Sequence, residues 1–222
     1  MAIPKVYAVL TGDIVDSSRI GKDQRKKLLA DLKSSFFNAD KILNSSNLIA
    51  PFSIYRGDSF QGVLANPEDA LLASLIIRAT LRKSVDVGLK DLWDARIAVG
   101  LGEIAYLSET GAEGDGIAYR RSGPILDQMT GDMWLQIKTP WEEVDQELAV
   151  ACPLADIIIQ KWSSAQAEVV LLQIEGLTQQ AMADKLHITQ AAVNQRLKGA
   201  GWFAIDNFLK RFKSLIIQKL AQ

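Results

Sequence analysis

Pro51-Phe-Ser-Ile-Tyr-Arg-Gly-Asp-Ser-Phe-Gln-Gly-Val-Leu-Ala65 is two short apolar runs about the dipeptide Gly57-Asp58, the pattern of a β-hairpin. Before it, Pro4 to Gly12 is β-branched and apolar and ends at Gly12-Asp13, which predicts a buried strand. Between the two, Gly21 to Leu43 has Leu28, Leu29, Leu32, Phe36, Ile42 and Leu43 at helical spacing, and Asn44 to Asn47 breaks the run. After the hairpin, Asn66-Pro67 opens a second helix whose Ala70, Leu71, Ala73, Leu75, Ile77 and Leu81 are too apolar to face water. Ala95 to Ala105 then reads as a strand holding Gly100 and Gly102. Gly111 to Gly116 reads as a loop, Ile117 to Thr130 as a short helix and Met133 to Lys138 as another strand. The order β-α-β-β-α-β predicts an α+β fold, a ferredoxin-like antiparallel sheet with helices on one face.

That topology sets two carboxylates together. The first strand lies beside the third and runs opposite to it, so Asp13, closing strand one, and Asp58, opening strand three, share one sheet edge. Adjacent carboxylates repel unless a cation stands between them. Hard oxygen ligands suit Mg²⁺ or Mn²⁺, which keep waters and substrate phosphates as their other ligands. Turn roles for both residues are equally sound chemically: Asp13 in a loop with Asp16-Ser17-Ser18, Asp58 in a Gly-Asp turn.

Composition fits an ordinary soluble protein: 48% apolar and 23% charged over 222 residues, enough for one or two domains. No apolar run reaches the ~18–20 residues of a membrane span. The N-terminal stretch lacks the features of a signal peptide, and one cysteine, Cys152, leaves no intramolecular disulfide, so a cytoplasmic location is expected. The net charge of −1 hides an asymmetry, because residues 161–222 carry eight Lys or Arg against four Asp or Glu. A basic tail on an acidic body points to an anionic partner such as nucleic acid.

Four blocks resemble the SatD family of bacterial proteins: Leu10-Thr-Gly-Asp-Ile-Val-Asp-Ser-Ser-Arg19, Phe52-Ser-Ile-Tyr-Arg-Gly-Asp-Ser-Phe-Gln-Gly62, Arg96-Ile-Ala-Val-Gly-Leu-Gly-Glu-Ile104 and Gly114-Asp-Gly-Ile-Ala-Tyr-Arg-Arg121. More distantly the same blocks resemble class III nucleotide cyclases. That resemblance implies metal-binding roles for Asp13 and Asp58. The cyclase pattern also has a purine-selecting lysine where this chain has Ile54. Its Asn and transition-state Arg fall at Arg120 and Pro124. Arg120 and Arg121 remain as candidate phosphate-ligand residues, with pairing to Glu113 or Asp115 as the alternative. The missing cations argue for ligand binding without turnover, since cyclisation needs positive charge on developing oxyanions.

From Ser163 the sequence predicts three short helices, with Thr178 and Thr189 as N-caps and a tight connection at His187-Ile188. Gly176 to Leu197 resembles the helix-turn-helix of sigma-factor region 4. In that reading Gln190, Ala191, Asn194 and Gln195 face base edges, with Thr189 at the start of the reading helix, while Lys185, Arg196 and Lys198 suit phosphates. Trp202 to Leu220 reads as an amphipathic helix. The domains expected are 1–140, a linker over 141–162 and a helix-turn-helix domain over 163–222. The leading expectation is a homodimeric, DNA-binding transcriptional regulator whose body binds a metal-bridged nucleotide or phosphate. An enzyme acting on a nucleotide is the alternative, and a scaffold with neither site occupied a third.

Overall fold

The computed structural model describes residues 5–84, 93–107 and 114–222. Pro4 and residues 111–113 of the expected loop lie outside the described residues. Strands β1 (Tyr7–Ile14), β2 (Leu48–Arg56), β3 (Ser59–Leu64), β4 (Ala95–Gly102) and β7 (Leu135–Lys138) form one sheet in the order β2-β3-β1-β4-β7. Helices α1 (Lys22–Leu43) and α2 (Ala70–Lys83) make the two crossovers. β1 is antiparallel to both β3 and β4, and β7 adds to the far side of β4 in parallel, so the sheet is mixed. The two-residue strands β5 (Tyr106–Leu107) and β6 (Gly114–Asp115) pair separately.

Strand alternation divides the sheet into two faces. Ala8, Leu10 and Ile14 of β1, with Ile97, Val99 and Leu101 of β4, join the large core under α1 and α2. Phe36, Phe52 and Phe60 meet there with centroids 5.3–6.5 Å apart. The opposite face, expected to be open, carries α3 (Ile117–Gln128). Val9, Val63 and Ala118 form a small core beneath it. Helix α3 can lie on β4 because Gly100 has no side chain: a Cβ there would stand 2.1 Å from the Ala118 carbonyl oxygen and 2.7 Å from Ser122 N.

The remaining helices are α4 (Glu142–Ile159), α5 (Ser164–Ile174), α6 (Gln179–Leu186), α7 (Gln190–Gly199) and α8 (Trp202–Leu220). Helix α4 runs through Pro153, which is exposed. It is part of the body and not a free linker: Val144, Leu148, Cys152, Ala155 and Ile159 are buried in the main core. That core continues through Trp162, Val169, Val170, Val193, Leu197 and Phe212, so the tail helices share one interior with the sheet.

A buried ionic network ties these layers together. Arg78 of α2 is fully buried and binds Asp94 through Nε at 2.8 Å and Nη2 at 3.0 Å, and also Asp156 of α4. Asp156 accepts hydrogen bonds from Trp134 N at 2.8 Å and Leu135 N at 2.9 Å. Arg82 reaches Asp94 at 3.1 Å and donates to the carbonyls of Gln160 and Trp162. Burial pushes the Asp156 carboxyl up and the Arg82 guanidinium down. Burial also acts against charge on Arg78, but Asp94 and Asp156 more than offset it.

Candidate functional site

The end of the sheet where β1 finishes collects charge. Asp13 points to the α3 face, directly across the ladder from Arg96, which donates to both its oxygens, Nε at 2.8 Å and Nη2 at 2.6 Å. Arg96 Nη1 also donates to the Met129 carbonyl at the end of α3, at 3.1 Å. Asp58, from the β2–β3 turn, accepts a hydrogen bond from Ile14 N at 3.2 Å, beside Asp13 in the chain. Arg25 of α1 stands 3.9 Å from its other oxygen. The hydrogen bond to Asp13 is the main cause holding the Arg96 guanidinium above its ordinary range, with the charges of Asp58 and Asp16 adding to it.

Behind the carboxylates, a buried polar chain fixes α3 to the sheet. Gln61 Nε2 donates to Thr11 Oγ1 at 2.8 Å, and Thr11 Oγ1 donates to Ser122 Oγ at 3.0 Å. Tyr55, half-exposed on β2, has its phenol pushed up chiefly by burial, with Asp127 and Asp13 adding to it. The structure thus brings Asp13 and Asp58 together and adds Arg96, Arg25 and Tyr55, which sequence reasoning missed as site residues. The usable signal for Arg96 was its place at the start of β4, which the antiparallel ladder sets opposite the end of β1.

Among the described residues no three His, Cys, Asp or Glu gather as a metal site. The sequence offered two carboxylates as donors, Asp13 and Asp58, and Arg96 donates to both oxygens of the first. That number fits an Mg²⁺ or Mn²⁺ ion completed by substrate phosphates and water better than a resident, protein-caged ion.

Arg120 and Arg121 are elsewhere. Arg121 donates to the Leu101 carbonyl at 2.5 Å, five residues along β4 from Arg96, which is about 17 Å at strand spacing. Exposed Arg120 pairs with exposed Asp115 at 3.2 Å, the alternative the sequence had offered. The Asp115 carboxyl is held low by the Gly116 N–H first and by Arg120 second. Both arginines line a cavity of about 660 Å³ between α3, β7 and α4. They do not share a site with Asp13 and Asp58.

In the tail, Thr178 and Thr189 cap α6 and α7, accepting from Ala181 N at 3.2 Å and Ala192 N at 3.1 Å. His187 turns the chain between them with φ 53°. Lys185, Thr189, Gln190, Ala191, Gln195 and Lys198 are exposed, and Asn194 and Arg196 half-buried.

Comparison with known proteins gives one family match, to the SatD family, over residues 7–211. Among solved structures, the monomeric guanylyl cyclase domain of the RhoGC fusion protein from the aquatic fungus Blastocladiella emersonii aligns with 17% identity and a TM-score of 0.40. The alignment covers 57% of this chain and 77% of that one. No curated protein matches the chain. These findings correct the expectation of a DNA-binding transcriptional regulator. The family match runs from β1 through α7 into α8 as one unit, and neither comparison supports a role in reading DNA. With four-block resemblance, sheet and tail all falling inside a single family match, the chain belongs to the SatD family.

Proposed function

We propose that the protein is an enzyme acting on a nucleotide, with its site at the strand-end cluster of Asp13, Asp58 and Arg96. The observation that supports this reading is the hydrogen bond from Ile14 N to Asp58 at 3.2 Å, which ties the hairpin carboxylate to the backbone one residue along from Asp13. Two carboxylates at one sheet end are the protein's usual share of an Mg²⁺–polyphosphate site. Asp13 and Asp58 would hold the ion, which when bound supplies Lewis-acid polarisation of a phosphoryl oxygen. Arg96 orients Asp13 and lowers the cost of gathering carboxylates at one point. Tyr55 offers, at the same end, an aromatic surface of the kind bases stack on. The reading claims a nucleotide substrate and not cyclisation, because Ile54 and Pro124 stand where the cyclase pattern carries lysine and arginine.

The test is product analysis after incubation with ATP or GTP and Mg²⁺ or Mn²⁺, alongside thermal unfolding. Turnover should fall at least 100-fold in Asp58→Asn. A ligand at ~100 times its Kd should stabilise the wild type by about 2.7 kcal/mol, roughly 5–10 °C for a chain of this size. A metal-dependent shift without product would end the enzymatic reading, and no shift at all would end the site.

A further inference from the structure

The outer edge of the sheet has one gap in its cover. β7 is the last strand, and Ile97 N donates to the Trp134 carbonyl at 2.8 Å. From Trp134 to Thr139 alternate residues bond to β4, so Leu135, Ile137 and Thr139 turn their backbone groups outward. Helix α4 runs back along this edge and caps both ends of it. Asp156 accepts from Leu135 N at 2.9 Å, and Asp145 from Thr139 N at 2.7 Å. Those two aspartates are eleven residues apart, about three helical turns, and so lie on one face of α4. Between the caps, the Ile137 N–H meets no protein acceptor among the described residues. Ile137 lines the cavity of about 660 Å³ between α3, β7 and α4, a volume ordinary for a small-molecule site.

The charges at this cavity do not cancel. Arg120, Arg121 and Lys138 line it against one carboxylate, Asp145. Asp145 takes Lys138 at 2.7 Å, and Asp115 takes Arg120 at the surface. Arg121 is the cation left over. It is half-buried, its hydrogen bond goes to the neutral Leu101 carbonyl, and it has no carboxylate partner among the described residues. One surplus guanidinium calls for one negative charge, in the planar oxyanion form that its remaining N–H groups fit. The rest of the wall is apolar: Pro124 and Ile125 from α3, with Leu148, Ala149, Cys152 and Pro153 from α4. An extended peptide does not suit this edge, because the two capped N–H groups leave a strand one residue to pair with.

We infer that this cavity binds a small apolar carboxylic acid, with its carboxylate on Arg121 and its hydrocarbon body between α3 and α4. The Ile137 N–H is the second donor in the cavity. This site is separate from the strand-end cluster of Asp13 and Asp58 and does not depend on what that cluster binds.

Titration of the full chain with decanoate below its micelle concentration, followed by calorimetry and by amide NMR spectra, tests this. Decanoate should bind, and should move the Ile137 amide more than the capped Leu135 and Thr139 amides. Decanol, the same body without the charge, should bind about 10-fold or more weaker. Decyl phosphate, close to a dianion at pH 7, should also bind more weakly than decanoate. Arg121→Gln should weaken decanoate about 10- to 100-fold and leave decanol unchanged, a split that a loss of fold would not give. Ala149→Phe, at an exposed position on the wall, should fill the cavity and abolish binding of both with the Tm kept. No binding by the wild type, equal binding of acid and alcohol, tighter binding of decyl phosphate, or a decanoate site that survives either variant would each overturn the inference.

Discussion

Arg96 grips Asp13 through two guanidinium nitrogens at 2.8 and 2.6 Å, from the ladder position directly opposite it. Asp13 therefore comes with its own counter-charge, and the strand end can hold Asp13 and Asp58 close without an ion. The pair is partly solvated, with side chains 21% and 33% exposed, so its worth is that of a well-formed surface pair. A double-mutant cycle with Asp13→Asn and Arg96→Leu should give a coupling of about 1 kcal/mol in urea unfolding. A coupling near zero would mean that the pair positions nothing.

The Arg78–Asp94–Asp156 network makes a larger prediction. Removing one member leaves a buried charge without its partner, so Arg78→Met or Asp156→Ala should each cost about 3–5 kcal/mol. The double variant Arg78→Met with Asp156→Ala should cost less than the two losses added together. Equilibrium urea unfolding reads both, and additive losses would show that the two side chains act independently.

Acid should loosen the seam between α8 and α4. The Glu143 carboxyl is held below its ordinary value of 4.5 mainly by the hydrogen bond from Lys219, and Glu147 likewise by Arg211. A carboxylate with a lowered folded pKa stabilises the fold above its unfolded value. That contribution fades as pH falls below 4.5 through the folded value. The Glu143→Gln, Glu147→Gln double variant should thus be less stable than wild type at pH 7, and the gap should close below pH 4.5. Thermal unfolding across pH 3–7 checks the sign, and a gap that widens in acid would contradict it.

How much was legible depended on the range of the interactions. The hairpin about Gly57-Asp58 and the helical spacing of α1 and α2 are local patterns, and they predicted the β-α-β-β-α-β order that the sheet adopts. The antiparallel pairing of β1 with β3 follows from that order, and it sets the end of the one strand beside the start of the other. The basic tail with its capped short helices read as a separate DNA-binding domain, because local caps and turns do not reveal what an apolar face packs against. Arg78 and Arg82 carried no local signal of their partners, for they are buried against Asp94 and Asp156, 12 to 78 residues away.

The sequence by itself determined the α+β class and the strand and helix order, and from that order it predicted that Asp13 and Asp58 share one sheet edge. These follow from periodicity and turn chemistry within short windows. Only the tertiary structure decided that α3 covers the second face, that Arg96 holds Asp13, that Arg120 and Arg121 stand at the opposite sheet end, and that the tail shares the main core. Each depends on distant segments meeting, and burial and ion pairing acquire their energies only once those segments meet.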